Sequence, residues 1–416
     1  MMPVQLTYAE ARARVLAATR ALPAEPVPLA QARGRALRRP VTAPHPLPPF
    51  DNSSMDGYAV RAADLGAASL AAPRELAVVG VLPAGHLAPR GLRPGEAMRI
   101  MTGAAIPPGA DAIVPFEECE RIEADGHERA RFTRPARAGD HVRRAGADIA
   151  AGELALPEGR ELSAHDLALL AALGVARVET GPRPRAAILS TGDELISVED
   201  ALRPGMIRDS NVPQLAALLE EAGCQVVSSG SVPDDPEAVA AHMGSALDSA
   251  EIVLTIGGVS AGDFDPVKVA LEIVGEIEPW RVAMRPGRPQ AFGTPRGRLF
   301  FGLPGNPASV ACVFEALVRP ALRKLQGFTL LDRPRLEVRI ARRMASAAGR
   351  TDFLRATLTR SGGTWWAAQA GEQISGHLTP QARSHALVIV PAETPALEAG
   401  DAAEALILRW PESTQR

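Results

Sequence analysis

Cysteine is scarce: Cys119, Cys224 and Cys312 are the whole complement of 416 residues, far apart and without a CxxC pair. That spacing argues against a zinc knuckle or a disulfide framework, so reduced thiols are expected. Lysine is scarcer still. Only Lys268 and Lys324 occur and nearly all of the 45 basic residues are arginine, so a lone arginine carries little information. No apolar run approaches the roughly 20 residues that span a bilayer. The N-terminus, MMPVQLTYAEARARVLAATR, has early charges in place of a signal-peptide apolar core. A formal net charge of −3 supplies no global field for nucleic acid or an anionic membrane. A cytoplasmic protein that binds neither is expected, and any anion site must be local.

What is present reads as a globular chain of several domains: 46% hydrophobic, 22% charged, and too long for one ordinary core. Residues 5–20 read as a helix and 26–40 as a second stretch ending in basic residues. In PHPLPPFDNSSMDGYAVR, four prolines within six residues force an extended arm that delivers a polar, carboxylate-bearing turn. Residues 74–140 show short apolar runs broken by Gly and Pro, an all-β pattern. A helix follows over SAHDLALLAALGV, with Ser163 as its N-cap. From 185 to 327 strands and helices alternate, ending in a long helix from Pro307 to Gln326, which predicts a doubly wound, mainly parallel α/β sheet. The tail returns to short strands, RLEVRIA, HALVIVP and EALILRW. The expected domains are 1–45 with 141–181 (an elongated linking and dimerisation domain of mixed, partly helical character), 46–140 (β-rich, carrying the MDGY arm), 182–327 (α/β) and 328–416 (a C-terminal β-barrel-like domain).

Three glycine-bearing loops follow strands of the α/β block: STGDEL (190–195), TIGGVSAGDFD (255–265) and FGLPGNPAS (301–309). In an open parallel sheet the strand C-termini share one edge, where ligands bind at the switch point, so the loops are expected to converge. Gly257, Gly258 and Ser260 lie where backbone N–H groups can turn toward a phosphate. Pro304, Gly305 and Asn306 precede a helix N-terminus, which favours an anion. A structural turn has no need of acids at Asp193, Glu194, Asp263 and Asp265; carboxylates facing phosphate-binding backbone suit Mg²⁺. Asp234 and Asp235 follow a fourth strand at the same edge, where helix capping is an equal reading. Arg281, Arg285 and Arg288 in PWRVAMRPGRPQAFG could receive an oxyanion or a phosphate tail, against the plainer reading of a solvated basic turn.

The set FDNSSMDGYAV, MTGA, STGDEL, GGVSAGDFD, MRPGRPQAFG and LPGNPAS, in this order and spacing, resembles the molybdopterin molybdenumtransferase family over essentially the whole chain. The resemblance implies insertion of molybdate into the dithiolene of adenylylated molybdopterin with release of AMP, a divalent cation (usually Mg²⁺), and a homodimer. It also implies contact with a molybdopterin adenylyltransferase. By motif match, Asp56, Glu194, Asp234 and Asp265 are implied as catalytic acids, the last three also as metal ligands, with Asp56 facing the other subunit. Thr102, Asp148, Arg355 and Ser375 match further substrate-side positions. Relatives often carry lysine where this chain has Arg281, Arg285 and Arg288; positive charge is retained. The α/β block alone also resembles molybdopterin adenylyltransferases, which lack the MDGY arm and the C-terminal β-domain. A gephyrin-like scaffold is the reading from another class, and it would leave the acidic loops without a purpose.

Overall fold

The computed structural model describes the chain except residues 1, 125, 234, 259–265, 347 and 413–416 and the side chains of 266–268. Two compact units divide it: Met1–Arg39, Gly159–Ser163 and Arg177–Arg416 form one, and Pro40–Glu158 with Ala164–Ala176 the other. The segments 1–45 and 141–181, expected as one linking domain, are shared between these units. Among the described residues no helix is long and apolar enough to cross a membrane.

In the first unit the parallel strands run in the order Gln225–Val232, Arg185–Thr191, Ile252–Ile256, Leu299–Leu303. Chain order reverses about Arg185–Thr191, which has the second strand on one side and the third on the other; this is the switch point of a doubly wound sheet. Every residue of Ile252–Ile256 is buried, which is why EIVLTI is a continuous apolar run and does not alternate. Helix Asn211–Glu221 covers one face, setting Leu215 and Leu219 against Ile188 and Leu254. Helix Pro236–Ser249 covers the other, with Val239 and Met243 against Leu189 and Val253. Each such side chain stabilises the fold by roughly 1.5–3 kcal/mol on full burial.

Beyond Leu299–Leu303 the sheet turns antiparallel through Pro289–Gly293 and Ile277–Arg285, and Val4–Thr7 then lies parallel to Ile277–Arg285. The helix expected over 5–20 therefore starts later, at Tyr8–Ala18. Thr7 sets that start: its hydroxyl accepts from Glu10 N at 3.2 Å while the Glu10 carboxylate accepts from Thr7 N at 2.8 Å. This capping box is written in the sequence as T-x-x-E. The run from Pro307 to Gln326 is helical throughout but not uniform, since Phe314–Val318 forms a π turn between two α-helical stretches. Pro320 has no N–H for the carbonyl of Ala316 four residues earlier. The Tyr8 hydroxyl donates to that carbonyl, at 3.4 Å.

The tail closes a five-stranded barrel among the described residues. Thr351–Ser361 pairs with Thr364–Gln369 and with Ala386–Val390, and Arg335–Ile340 and Ala402–Ile407 complete the ring. Val338, Leu354, Ala356 and Val388 fill it. Its longest strand, Thr351–Ser361, has no alternating signature because Asp352–Ala356 is buried without a break. In the second unit the expected all-β region forms a six-stranded sheet over a core that includes Tyr58, Val114 and Phe132. The helix expected after Ser163 is present as Ala164–Ala172.

Candidate active site

The strand ends are stitched together by backbone contacts. Gly257 N donates to Leu303 O at 3.1 Å and Thr191 Oγ1 donates to Ile256 O at 3.4 Å. Gly257 has φ 88°, and a Cβ there would lie 2.9 Å from Thr191 O, so both conformation and space require glycine. A Cβ on Gly305 would come within 3.9 Å of Gly257 Cα. The STGDEL, TIGG and LPGN segments thus converge at one edge beside the switch point, as the strand–loop pattern predicts. Glu194 is exposed and folds back over Gly192, where a Cβ would come 2.8 Å from its Oε2. Among the described residues nothing donates to the Glu194 carboxylate. Asp235 has the capping role: its carboxylate accepts from Ala238 N at 2.8 Å. Asp234, Ser260, Asp263 and Asp265 lie outside the described residues. No group of three Asp, Glu, His or Cys able to hold a metal occurs among the described residues. Glu194 alone fits as one hard oxygen ligand, unpaired and at the ligand-facing edge.

At LPGNPAS the expected helix start is found, but part of it is already used. Asn306 occupies the N-cap position without a side-chain cap. Its Nδ2 donates to Ser375 Oγ at 3.0 Å, and Ala308 N donates to Ser375 O at 3.1 Å. The loop carrying Ser375 is held by Arg355, which is 3% exposed. The Arg355 guanidinium donates to the carbonyls of Glu372 at 3.0 Å, Ile374 at 2.9 Å and His377 at 2.9 Å. Gln373 completes the clip, accepting from Arg355 N at 2.9 Å and donating to Arg355 O at 3.1 Å. Burial pushes the Arg355 pKa below the usual arginine value. Arg355 therefore acts on the site through the loop that presents Ser375.

The three arginines of the basic segment separate. Arg281 sits within strand Ile277–Arg285, opposite Pro289, and Val282 N donates to Arg288 O at 2.9 Å. A Cβ on Gly287 would lie 2.4 Å from Val313 Cγ2, so glycine lets the turn pack onto helix Pro307–Val313. Arg285 is ion-paired with the fully buried Asp352, whose Oδ2 also accepts from Ser346 Oγ at 2.6 Å. Arg288 is exposed and Arg281 half-buried.

In the second unit the structure joins two residues that the sequence left apart. Asp56 Oδ1 accepts from Thr102 N at 2.6 Å and from Thr102 Oγ1 at 2.7 Å. These bonds, the backbone one first, hold the Asp56 carboxyl below the usual carboxylate range. A depressed folded-state pKa adds stability above the unfolded value, about 3.9, and loses it as pH falls through the folded value. Thr102→Val removes the hydroxyl donor and keeps the backbone one. The Asp56 midpoint, followed by NMR titration, should then rise but stay under the ordinary value; no movement would deny the hydroxyl its part. Asp148 is exposed, with its N–H on Leu47 O at 2.9 Å.

Comparison with known proteins decides the family. Residues 6–174 match the model of the MoeA N-terminal region (domain I and II), 187–324 that described as "Probable molybdopterin binding domain", and 337–408 that of the MoeA C-terminal region (domain IV). The chain is 39% identical over 384 residues to molybdopterin molybdenumtransferase 2 of Mycobacterium tuberculosis, covering 90% of this chain and 92% of the relative. This chain belongs to the molybdopterin molybdenumtransferase family. It is also 37% identical over 393 residues to the molybdopterin molybdenumtransferase of Nostoc sp., covering 93% of this chain and 89% of that one. A crystal structure of a molybdopterin biosynthesis MoeA protein from Pyrococcus horikoshii superposes with TM-score 0.81 at 30% identity, covering 97% of this chain and 99% of that one.

Sequence reasoning missed one residue at this family's edge. Asn211 opens helix Asn211–Glu221, and its Nδ2 donates to Gly305 O at 2.7 Å, tying the LPGN loop to the neighbouring helix. Asp209 supports it by accepting from Asn211 N at 2.8 Å and Val212 N at 3.1 Å. The signal was legible: IRDSN places an Asp just ahead of an amphipathic helix, the usual capping pattern.

Proposed function

We propose that the converging strand-end loops are the reaction centre of this chain, which is a molybdopterin molybdenumtransferase, an enzyme of molybdenum cofactor synthesis. The observation that carries the placement is the stitching of Thr191, Gly257 and Gly305 at the switch point, beside an unpaired Glu194. The substrates in this reading are adenylylated molybdopterin and molybdate, and the products are AMP and molybdenum cofactor. Backbone N–H groups of the glycine loops bind the phosphates, and Asn306 with Ser375 lines the edge beside them. Glu194, with Asp234 and Asp265, would hold Mg²⁺, which supplies neutralisation of charge developing on the phosphoanhydride. Asp56 and Thr102 act as a preformed pair, with the carboxylate kept ionised. Gly258, Pro304 and Asp148 are assigned to substrate binding. The reaction is cytoplasmic, and a molybdopterin adenylyltransferase is the partner expected to deliver the adenylylated substrate.

The test is incubation of the protein with adenylylated molybdopterin, Mg²⁺ and molybdate, reading AMP release and active cofactor. No AMP above the protein-free rate would sink the reading. Chelation with EDTA should stop release and added Mg²⁺ restore it; full activity in EDTA would remove the metal from the scheme.

The homodimer makes its own prediction. If Asp56 of one subunit completes the edge of the other, Asp56→Ala and Glu194→Gln chains, each inactive alone, should recover activity when mixed. One site per heterodimer then keeps both acids. No recovery, with subunit exchange verified, would mean each site is built within one chain.

A further inference from the structure

A cleft of about 530 Å³ opens beside the basic hairpin, lined by Arg281, Arg288, Arg350, Thr7 and Glu10 among others. Its walls come from the outer strands of the sheet. Strand Ile277–Arg285 buries Trp280, Val282 and Met284 and leaves Arg281 and Ala283 on the opposite face. Val4–Thr7 runs beside it, with Gln5 opposite Arg281 and Thr7 opposite Ala283. Arg288 enters from the hairpin turn, and Arg350 from the segment leading into strand Thr351–Ser361.

The charges in this cleft are unbalanced. Among the described residues, none of Arg281, Arg288 and Arg350 has an ion-pair or hydrogen-bond partner. Nearby arginines behave differently: Arg285 is paired with Asp352, and Arg12 with Asp332 at 2.9 Å. Glu10 is the one acid lining the cleft, and its carboxylate is already taken by Thr7 N and Thr7 Oγ1, each at 2.8 Å. Three guanidinium groups gathered without a counter-charge repel one another, and an anion with several acceptor oxygens relieves that repulsion through charge-assisted bonds.

We propose that this cleft binds a free tetrahedral oxyanion through Arg281, Arg288 and Arg350. Arg285 is excluded because Asp352 holds it, and Arg350 is added although it lies outside the basic segment. The hairpin carrying Arg281 and Arg288 points its turn toward the strand edge, since Gly293 pairs near the start of Leu299–Leu303 and Ala291 nearer its end. The cleft is thus a place where the anion is gathered on the flank of the reaction edge. The choice of molybdate as that anion rests on the transferase reading; the phosphate of a nucleotide offers the same four-oxygen chemistry.

The experiment is equilibrium dialysis of the full chain with molybdate alone and, separately, with AMP alone. Molybdate should bind in the absence of pterin. Arg281→Ala and Arg350→Ala should each weaken it by about tenfold, Arg350→Lys by less because charge is kept, and thermal unfolding should be unchanged. If AMP binds and responds to the same substitutions while molybdate does not, the oxyanion held is the nucleotide phosphate. Wild-type affinity for both ligands in every folded variant overturns the cleft. Dialysis needs no turnover, so that failure leaves the transferase reading standing. Failure of the AMP-release assay by wild-type protein, in turn, leaves the dialysis result readable.

Discussion

Glu194→Gln is expected to lose roughly 10²–10³-fold in AMP release with no measurable change in thermal unfolding. The carboxylate is exposed at the switch point and, among the described residues, takes no hydrogen bond. It does nothing for the fold that a glutamine of equal size would not do. Its value lies in negative charge beside backbone arranged for phosphate, where a metal has to be held. Glutamine keeps the shape and one oxygen but removes that charge, so affinity for the divalent cation should fall with the rate. Raising Mg²⁺ should recover part of the lost activity. A folded Glu194→Gln protein with near-wild-type AMP release would remove Glu194 from the mechanism.

The largest stability effect is expected at a site far from chemistry. Glu315 lies in the π turn, with a side chain only 3% exposed, and accepts from Arg319 Nε at 2.7 Å and Arg333 Nε at 2.9 Å. Arg319 is also buried, while Arg333 reaches on to Glu221 at 2.8 Å. Glu315→Ala would leave the Arg319 charge buried with only Glu221, 3.7 Å away, in reach. Breaking such a pair from one side costs about 3–5 kcal/mol, because the remaining charge stays desolvated. Urea unfolding followed by circular dichroism should show that loss. The double variant Glu315→Leu/Arg319→Met should recover much of it, since it removes both charges and keeps apolar volume. A loss under about 1 kcal/mol in Glu315→Ala would mean that water or relaxation already compensates Arg319.

Much of the architecture was legible because burial leaves a local trace. EIVLTI and RLFFGL read as strands because both faces are covered, and the helices between them carry their apolar stripe at the right period. The glycine loops were legible at Gly257 for the same kind of reason: its left-handed backbone and close neighbour allow no side chain. Where local pattern misled, a longer-range partner had intervened. VQLT is extended because it adds to the edge of Ile277–Arg285, more than 270 residues away in sequence, and nothing in its own four residues announces that pairing.

The sequence by itself determined the class of chemistry, the family, and which segments reach the ligand edge, since these depend on residue type and short spacing. Only the tertiary structure decided how individual side chains are employed. It joined Asp56 to Thr102 across 46 residues, Arg285 to Asp352 across 67 and Asn306 to Ser375 across 69. It also turned every Arg355 donor inward onto the loop of Ser375, and it left Arg281, Arg288 and Arg350 around one cleft. The reason is physical. A side chain's role depends on which donors and acceptors the folded chain brings within about 3 Å of it, and contacts between distant segments leave no periodic trace in the sequence of either.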